Sequence, residues 1–490
     1  MHNSQGLEKV LSLRQEILAG DEKRLKEQRD AGKLTARERI AKIADAGSFV
    51  ELFALVSRND EGAGVVTGYA TIEERPVYLF AQDFTVRGGA MGQLQAAKIV
   101  KLLELAQKTG APVLALMDSA GVRIDEGAQA LSAYSEIYQK MARMSGVCPM
   151  VALVLGPCIG GAALLSQLAD VSIVAEKVGQ LMVFGPQVMA AMNGEQVDAE
   201  KFGGAKVAAE MGACALTAAS EDEALLKARQ VLALLPSSNL EDAEIVDADD
   251  LNRLLPAIDP ADADALLNAV ADQSTLLELY AAYEPSVKVA LARLGGYSVG
   301  LVAANGKLTA GALQKAARFV RFMDCYGIPV VSLLNTSGVE VNSVKAQGWL
   351  FKAQSQLLYA YAEATVPKVA VVTGDAIGQA YVAMGGKAMA DVTYAWPSAV
   401  ISALTPEAAV AVLYQDEVKA DKELSVEEAR AKYASEYVEN VAGCLNAAKQ
   451  GMVDDVIEPA QTRAMLISAL EMLMSKRDSN PPKKHGNLPM

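Results

Sequence analysis

Residues 97–122, AKIVKLLELAQKTGAPVLALMDSAGV, lie over residues 314–339, QKAARFVRFMDCYGIPVVSLLNTSGV, at a constant offset of 217 positions and without a gap. Lys98 falls on Lys315, Gly110 on Gly327, Pro112 on Pro329 and Gly121 on Gly338. Further on, GPCIGGAAL from 156 aligns with GDAIGQAYV from 374, so the match resumes at nearly the same spacing. Self-similarity of this length means one structural unit present twice. Each copy must then build its own core, which 490 residues with 51% apolar side chains can supply.

The unit itself reads as α/β. Strand-like runs VYLFAQDF from 77, PVLALMD from 112, MVALVLG from 150 and VSIVAE from 171 each precede an amphipathic helical pattern. The first 45 residues alternate charged and apolar residues at helical spacing, an exposed helical lead-in with a break near Ala31 and Gly32. Within LLPSSNLEDAEIVDADD (234–250) the apolar pattern lapses, which places the boundary between a domain 1–240 and a domain 241–490. The uncharged run from Met144 to Ala169 is long enough to span a bilayer. Gly156, Pro157, Gly160 and Gly161 in its middle instead predict a strand, a tight turn and a buried helix.

Several chemistries are disfavoured outright. A net charge of -14 leaves no basic face for nucleic acid. The only histidines are His2 and His485, near the two ends, which argues against imidazole bases, histidine triads and histidine-held metals. Five scattered cysteines without a CxxC pair fit neither a disulfide framework nor a zinc site, and fit a reducing cytoplasm. The N-terminal MHNSQGLEKV lacks the apolar segment of an export signal.

What remains is backbone chemistry. A strand running directly into a helix leaves the first helical N–H groups unpaired and partly positive. Glycine there removes the side chain that would keep a ligand away. Gly160 and Gly161 can therefore hold a developing oxyanion, or they simply allow tight strand-to-helix packing. In MDSAGVRIDEGAQAL (117–131), Asp118, Ser119 and Asp125 read as catalytic groups or as caps of the following turn. Arg123 either contacts a substrate anion or pairs with Asp125 or Glu126.

The segments GKLTARERI, GSFVEL, GAGVVTGYATI, AQDFTVRGGAMG, DSAGVRIDEG, GPCIGGA, GEQVDAEKFGGA, YAWPSA, GMVDDVIEP and KKHGNLPM resemble, in order along nearly the whole chain, the carboxyltransferase subunits of biotin-dependent acyl-CoA carboxylases and decarboxylases. That family includes propionyl-CoA carboxylase beta and methylmalonyl-CoA decarboxylase alpha subunits. The resemblance implies two duplicated crotonase-like (ClpP/crotonase) domains built from β-β-α superhelical turns. It also implies a homohexamer, a trimer of dimers, with the active site across the dimer interface. Acyl-CoA would sit on the N-terminal domain of one subunit and biotin on the C-terminal domain of its partner.

Carboxyl transfer between biotin and the α-carbon of a thioester develops charge on two carbonyl oxygens, which accounts for two copies of the turn. By resemblance, Gly160 and Gly161 serve the thioester, and the backbone N–H groups of Gln379 and Ala380 serve biotin. Gly378, Tyr381 and Val382 would line the cofactor side, Val382 where the family shapes its acyl pocket. Lys33, Arg37 and Arg39, with Arg87 as a lesser candidate, would receive the phosphates of CoA, although a solvated helix face accounts for the first three equally. No metal is implied. Biotin would arrive on a separate carrier protein, with a biotin carboxylase or a membrane decarboxylase subunit as further partner.

Two positions depart from the family pattern: its YGGAY is IGQAY here (377–381), and its DVPGF is NTSGV (335–339). Two alternatives stand beside the transferase. A crotonase-type CoA hydratase or isomerase would need a carboxylate after the glycines, for which the chain offers Asp170. A non-catalytic scaffold subunit would be explained by Gln379.

Overall fold

The computed structural model describes residues 2–58, 61–246 and 249–488. It divides into two compact units, Met1–Asp242 and Ala243–Met490, two residues beyond the division expected from the sequence. In the first unit the strands of the main sheet are β1 (Val50–Leu52), β2 (Val65–Ile72), β3 (Arg75–Gln82), β4 (Val113–Ser119), β5 (Met150–Ile159), β6 (Val171–Ala175), β7 (Gln180–Met182) and β8 (Leu216–Ala218). They form one sheet in the order β1-β2-β3-β4-β5-β6-β8, with β7 added beside β5. The second unit repeats this with β9 (Leu277–Leu279), β10 (Val287–Leu294), β11 (Tyr297–Leu308), β12 (Val330–Val339), β13 (Lys368–Ile377), β14 (Val392–Ala395), β15 (Val400–Ser402) and β16 (Asp455–Val456), β15 pairing with β13.

In each sheet the first three strands are antiparallel and the rest parallel. The parallel strands are buried along nearly their whole length, which is why they read as continuous apolar runs. The β2–β3 hairpin turns on Glu73 and Glu74, both at positive φ, and Asp45 holds the turn by accepting their N–H groups at 3.1 and 2.9 Å. The second unit makes the same turn with Gly295 and Gly296, whose N–H groups donate to Asp272 at 3.0 and 2.8 Å. Helices α4 (Gln93–Thr109) and α5 (Ala128–Met144) cover the first sheet, packing Ile99, Leu102, Leu103, Ile137 and Met141 against Phe80, Val113 and Ala115.

The lead-in folds as α1 (His2–Ala19), α2 (Glu22–Asp30) and α3 (Ala36–Ile43), interrupted at Ala31–Gly32 as expected and also at Gly20–Asp21. It is not exposed throughout, which corrects the expectation from its charge pattern: α3 buries Ala36, Arg39, Ile40 and Ile43, its i, i+3, i+4, i+7 stripe. The uncharged run after Met144 becomes β5, a turn and α6 (Gly161–Leu168). Among the described residues no helix is long and apolar enough to cross a membrane.

One irregularity, present in both sheets, sets where the two glycine turns stand. Between β4 and β5 the register passes from Met117↔Val154 to Ser119↔Cys158, so two steps of β4 face four of β5. Between β12 and β13 it passes from Leu334↔Val372 to Thr336↔Ala376 in the same way. A bulge of this kind bends and re-aims a strand. Beyond it, β5 pairs with β7 and β13 with β15.

Candidate active site

Past its bulge β5 ends at Ile159, which pairs with Met182. The next N–H, of Gly160, donates to the Met182 carbonyl at 2.8 Å and prolongs that ladder by one rung. Gly160 then turns the chain with φ 60° and ψ -118°, a conformation open in practice to glycine alone. The expectation that Gly160 offers its amide to a ligand is corrected here, because that N–H already has its acceptor. Gly161 opens α6, and the N–H groups of the first helical residues have no carbonyl one turn earlier to pair with. The Ala162 N–H is taken up by the Tyr134 hydroxyl, so Gly161 is the amide that the turn presents.

The two glycines answer different needs. A Cβ on Gly160 would meet only the Val183 carbonyl, at 3.6 Å. One on Gly161 would fall 2.6 Å from Cζ of Tyr134 and 2.7 Å from the hydroxyl of Tyr138. The Tyr138 hydroxyl donates to the Gly161 carbonyl at 3.0 Å, and that of Tyr134 donates to the Gly121 carbonyl at 3.1 Å. Backbone freedom is thus required at 160 and close packing at 161. The tyrosine pair was not singled out from the sequence, although its i, i+4 spacing on α5 was the available signal. Cys158 beside the turn is a buried thiol whose pKa burial pushes far up, so it offers no thiolate.

In the second unit Gly378 (φ 62°) occupies the place of Gly160, with the Ala403 carbonyl 3.2 Å from where a Cβ would stand. The helix it opens, α7 (Gly378–Ala383), begins at the end of β13. Gln379 is exposed and Val382 is 39% exposed, whereas Ala380 is buried. Tyr381, expected on the cofactor side, is 5% exposed, with its ring lying 3.1 Å from where Gly386 would carry a Cβ. It lies buried beneath the turn.

The cations expected for CoA phosphates are engaged elsewhere. Arg39 is fully buried: its Nε and Nη2 donate to Glu221 at 2.7 and 3.1 Å, Nη1 to Asp118 at 2.9 Å, and Nη2 also to the Leu155 carbonyl at 2.7 Å. Burial acts to lower its pKa, but the hydrogen bonds to Glu221 and the charge of Asp118 outweigh it and raise the value. Lys33 donates to both oxygens of Asp118 at 2.8 Å. Arg39 and Lys33 are therefore corrected from ligand contacts to internal ion pairs. Arg37 pairs with Glu51 at 2.8 Å, and Arg87 with Asp125 at 2.6 Å, which holds the Asp125 carboxyl below the usual range.

The remaining candidates separate cleanly. Ser119 caps its own turn, accepting the Gly121 N–H at 3.2 Å. Asp118 caps nothing and belongs to the buried network. Arg123 is buried, donating to the carbonyls of Ala90 and Ala63 with Glu126 at 3.6 Å. Asp170 accepts the N–H of Met150, at the opposite end of β5 from the glycines, on the order of 30 Å away at the rise of a strand. A base for a crotonase-type reaction is not to be found there.

A family model described as "Carboxyl transferase domain" matches residues 27–488. The chain is 40% identical to the putative propionyl-CoA carboxylase beta chain of Bacillus subtilis (strain 168), over 96% of each chain. It is 39% identical to the methylmalonyl-CoA decarboxylase subunit alpha of Veillonella parvula, again over 96% of each. Among solved structures it superimposes on transcarboxylase 12S, a hexamer assembly crystallised with methylmalonyl-coenzyme A and methylmalonic acid, with a TM-score of 0.93 and 38% identity, covering 99% of this chain and 98% of that one.

Proposed function

The chain belongs to the carboxyl transferase family and has its two crotonase-like domains, and from that premise we propose that it moves a carboxyl group between biotin on a carrier protein and the α-carbon of a short acyl-CoA. The observation that carries this reading is the duplicated bulge and glycine turn, each ending in helix-start amides. Two turns match the two oxygens on which charge develops. In the first unit, Met1–Asp242, the Gly161 amide holds the thioester oxygen as the α-carbon becomes an enolate. In the second, Gln379 with Ala380 holds the ureido oxygen; an exposed side chain at 379 leaves that backbone donor in place. Biotin supplies the nitrogen that takes up or releases the carboxyl group, and no histidine is required of the protein.

Propionyl-CoA and methylmalonyl-CoA are the substrates that the names of the relatives favour, and the hexamer of the solved transcarboxylase supports the same assembly here. The carrier, and a biotin carboxylase or a membrane decarboxylase subunit, would be separate proteins. Five free cysteines fit a cytoplasmic setting. The decisive experiment is isotope exchange between labelled methylmalonyl-CoA and unlabelled propionyl-CoA. Exchange should require biotin or its carrier; exchange that proceeds equally without either sinks the proposal.

A further inference from the structure

We infer that Asp118 and Arg39 are positioning residues for carboxyl transfer: together they seat the β5 bulge and thereby fix where Gly161 points its amide. This rests on the proposed carboxyl transfer. The bulge leaves Leu155, Gly156 and Pro157 outside the β4–β5 ladder, and a buried carbonyl without a ladder partner needs another donor. Arg39 Nη2 provides it to Leu155 at 2.7 Å. The Asp118 carboxylate fills the space under the next residue so closely that a Cβ on Gly156 would lie 2.0 Å from Oδ1. Lys33 and Arg39 against Asp118 and Glu221 form a charge-balanced group, and Asp118 and the Arg39 side chain are fully buried. Slipping β5 by one residue would turn its side chains to the other face. Fixing Leu155 and Gly156 therefore fixes the phase in which Ile159 reaches Met182 and Gly160 begins its turn.

The second unit performs the same task without charge, and this argues for a seat as distinct from a general ion pair. At the offset of the repeat, Asn335 replaces Asp118. Its Oδ1 accepts the N–H of Asp375 at 2.9 Å, and a Cβ on Gly374 would lie 2.5 Å from that oxygen. Its Nδ2 donates to Asn305 and to the Pro260 carbonyl, both at 3.1 Å. Either an aspartate or an asparagine thus plugs the bulge, provided its neighbours match its charge.

The test uses two charge-balanced double variants of the full-length protein in the biotin-dependent exchange assay. Asp118→Ala with Lys33→Met empties the seat; Asp118→Asn with Lys33→Met refills it as the second unit does. The first should lose about 30-fold in kcat, less than deletion of an oxyanion donor, with KM for the thioester within about twofold. The second should retain kcat within about threefold. Gly156→Ala, which keeps every charge and pushes directly on Oδ1, should show the same selective loss in kcat and guards against misfolding of the first pair. Full kcat in the emptied variant and in Gly156→Ala overturns the inference, as does a loss shared equally by both doubles in step with Tm. Absence of biotin-dependent exchange in the unmodified protein would instead overturn the functional reading.

Discussion

Replacing Gly160 by alanine separates the backbone role of the turn from its packing. Space is available, since the new methyl would meet only the Val183 carbonyl at 3.6 Å, but φ 60° with ψ -118° is strained for any L side chain. Holding alanine there costs about 1–3 kcal/mol. The least costly escape is to rotate the peptide between 160 and 161, and that rotation carries the Gly161 N–H away from the position it presents. The expected outcome is a fall in Tm on the order of 2–12 °C, from roughly 2–4 °C per kcal/mol for a unit of this size. Exchange kcat should fall about 100- to 1,000-fold, the effect of losing one preorganised oxyanion donor. Gly194→Ala is the control: φ is 72°, nothing lies within 4 Å of a Cβ, and the residue caps the C-terminal end of the helix Pro186–Asn193. It should lower Tm comparably and leave kcat unchanged. If Gly160→Ala lowers Tm while kcat stays within about threefold, the Gly161 amide does not hold the reacting oxygen.

Particular contacts give three further expected outcomes. Gln379→Gly removes an exposed side chain and keeps its amide, so kcat should change less than about threefold and Tm should fall slightly, by the roughly 1 kcal/mol of glycine in a helix; a large gain in exchange would show that the side chain obstructs the site. Asp170→Asn still offers an acceptor to Met150 N–H, so exchange should be unaffected, and a 100-fold loss would reinstate it as a catalytic base. Lys98 is buried against the Val65 carbonyl at 2.7 Å, and burial pulls its pKa down to about 8. Between that value and the roughly 10.4 of an unfolded lysine, only the unfolded chain keeps the proton, so stability should rise with pH by up to about 3 kcal/mol in total. Comparing urea unfolding of the protein and of Lys98→Met from pH 7.5 to 10 tests this, since the difference between them should grow; a flat difference refutes it. Lys315, its counterpart in the repeat, is also lowered to about 8.

The architecture was legible because duplication and alternation are local signals. The 217-residue offset anticipated two sheets of one topology, and the glycines at 160 and 378 marked both strand ends. What could not be read was which polar groups turn inward. Arg39 looked like part of a solvated face because its partner carboxylates stand at 118 and 221, far along the chain. A clue did exist, since Arg39 lies on the stripe of Ala36, Ile40 and Ile43. Asp118 resembled a turn cap because capping and plugging use the same residue type. The Gly160 amide was misread because its acceptor, Met182, belongs to a short strand that a periodicity of three residues cannot announce.

The clasp beneath the first turn has a consequence for synthesis. Lys33, Arg39 and Asp118 emerge from the ribosome early, but Glu221 opens the last long helix of the unit, Glu221–Leu234. A nascent chain that has just passed Gly161 carries both glycines of the turn, with Arg39 lacking one of its two counter-ions. The turn can reach its working shape only when the unit is almost wholly translated, so competence for chemistry arrives together with completion of the domain.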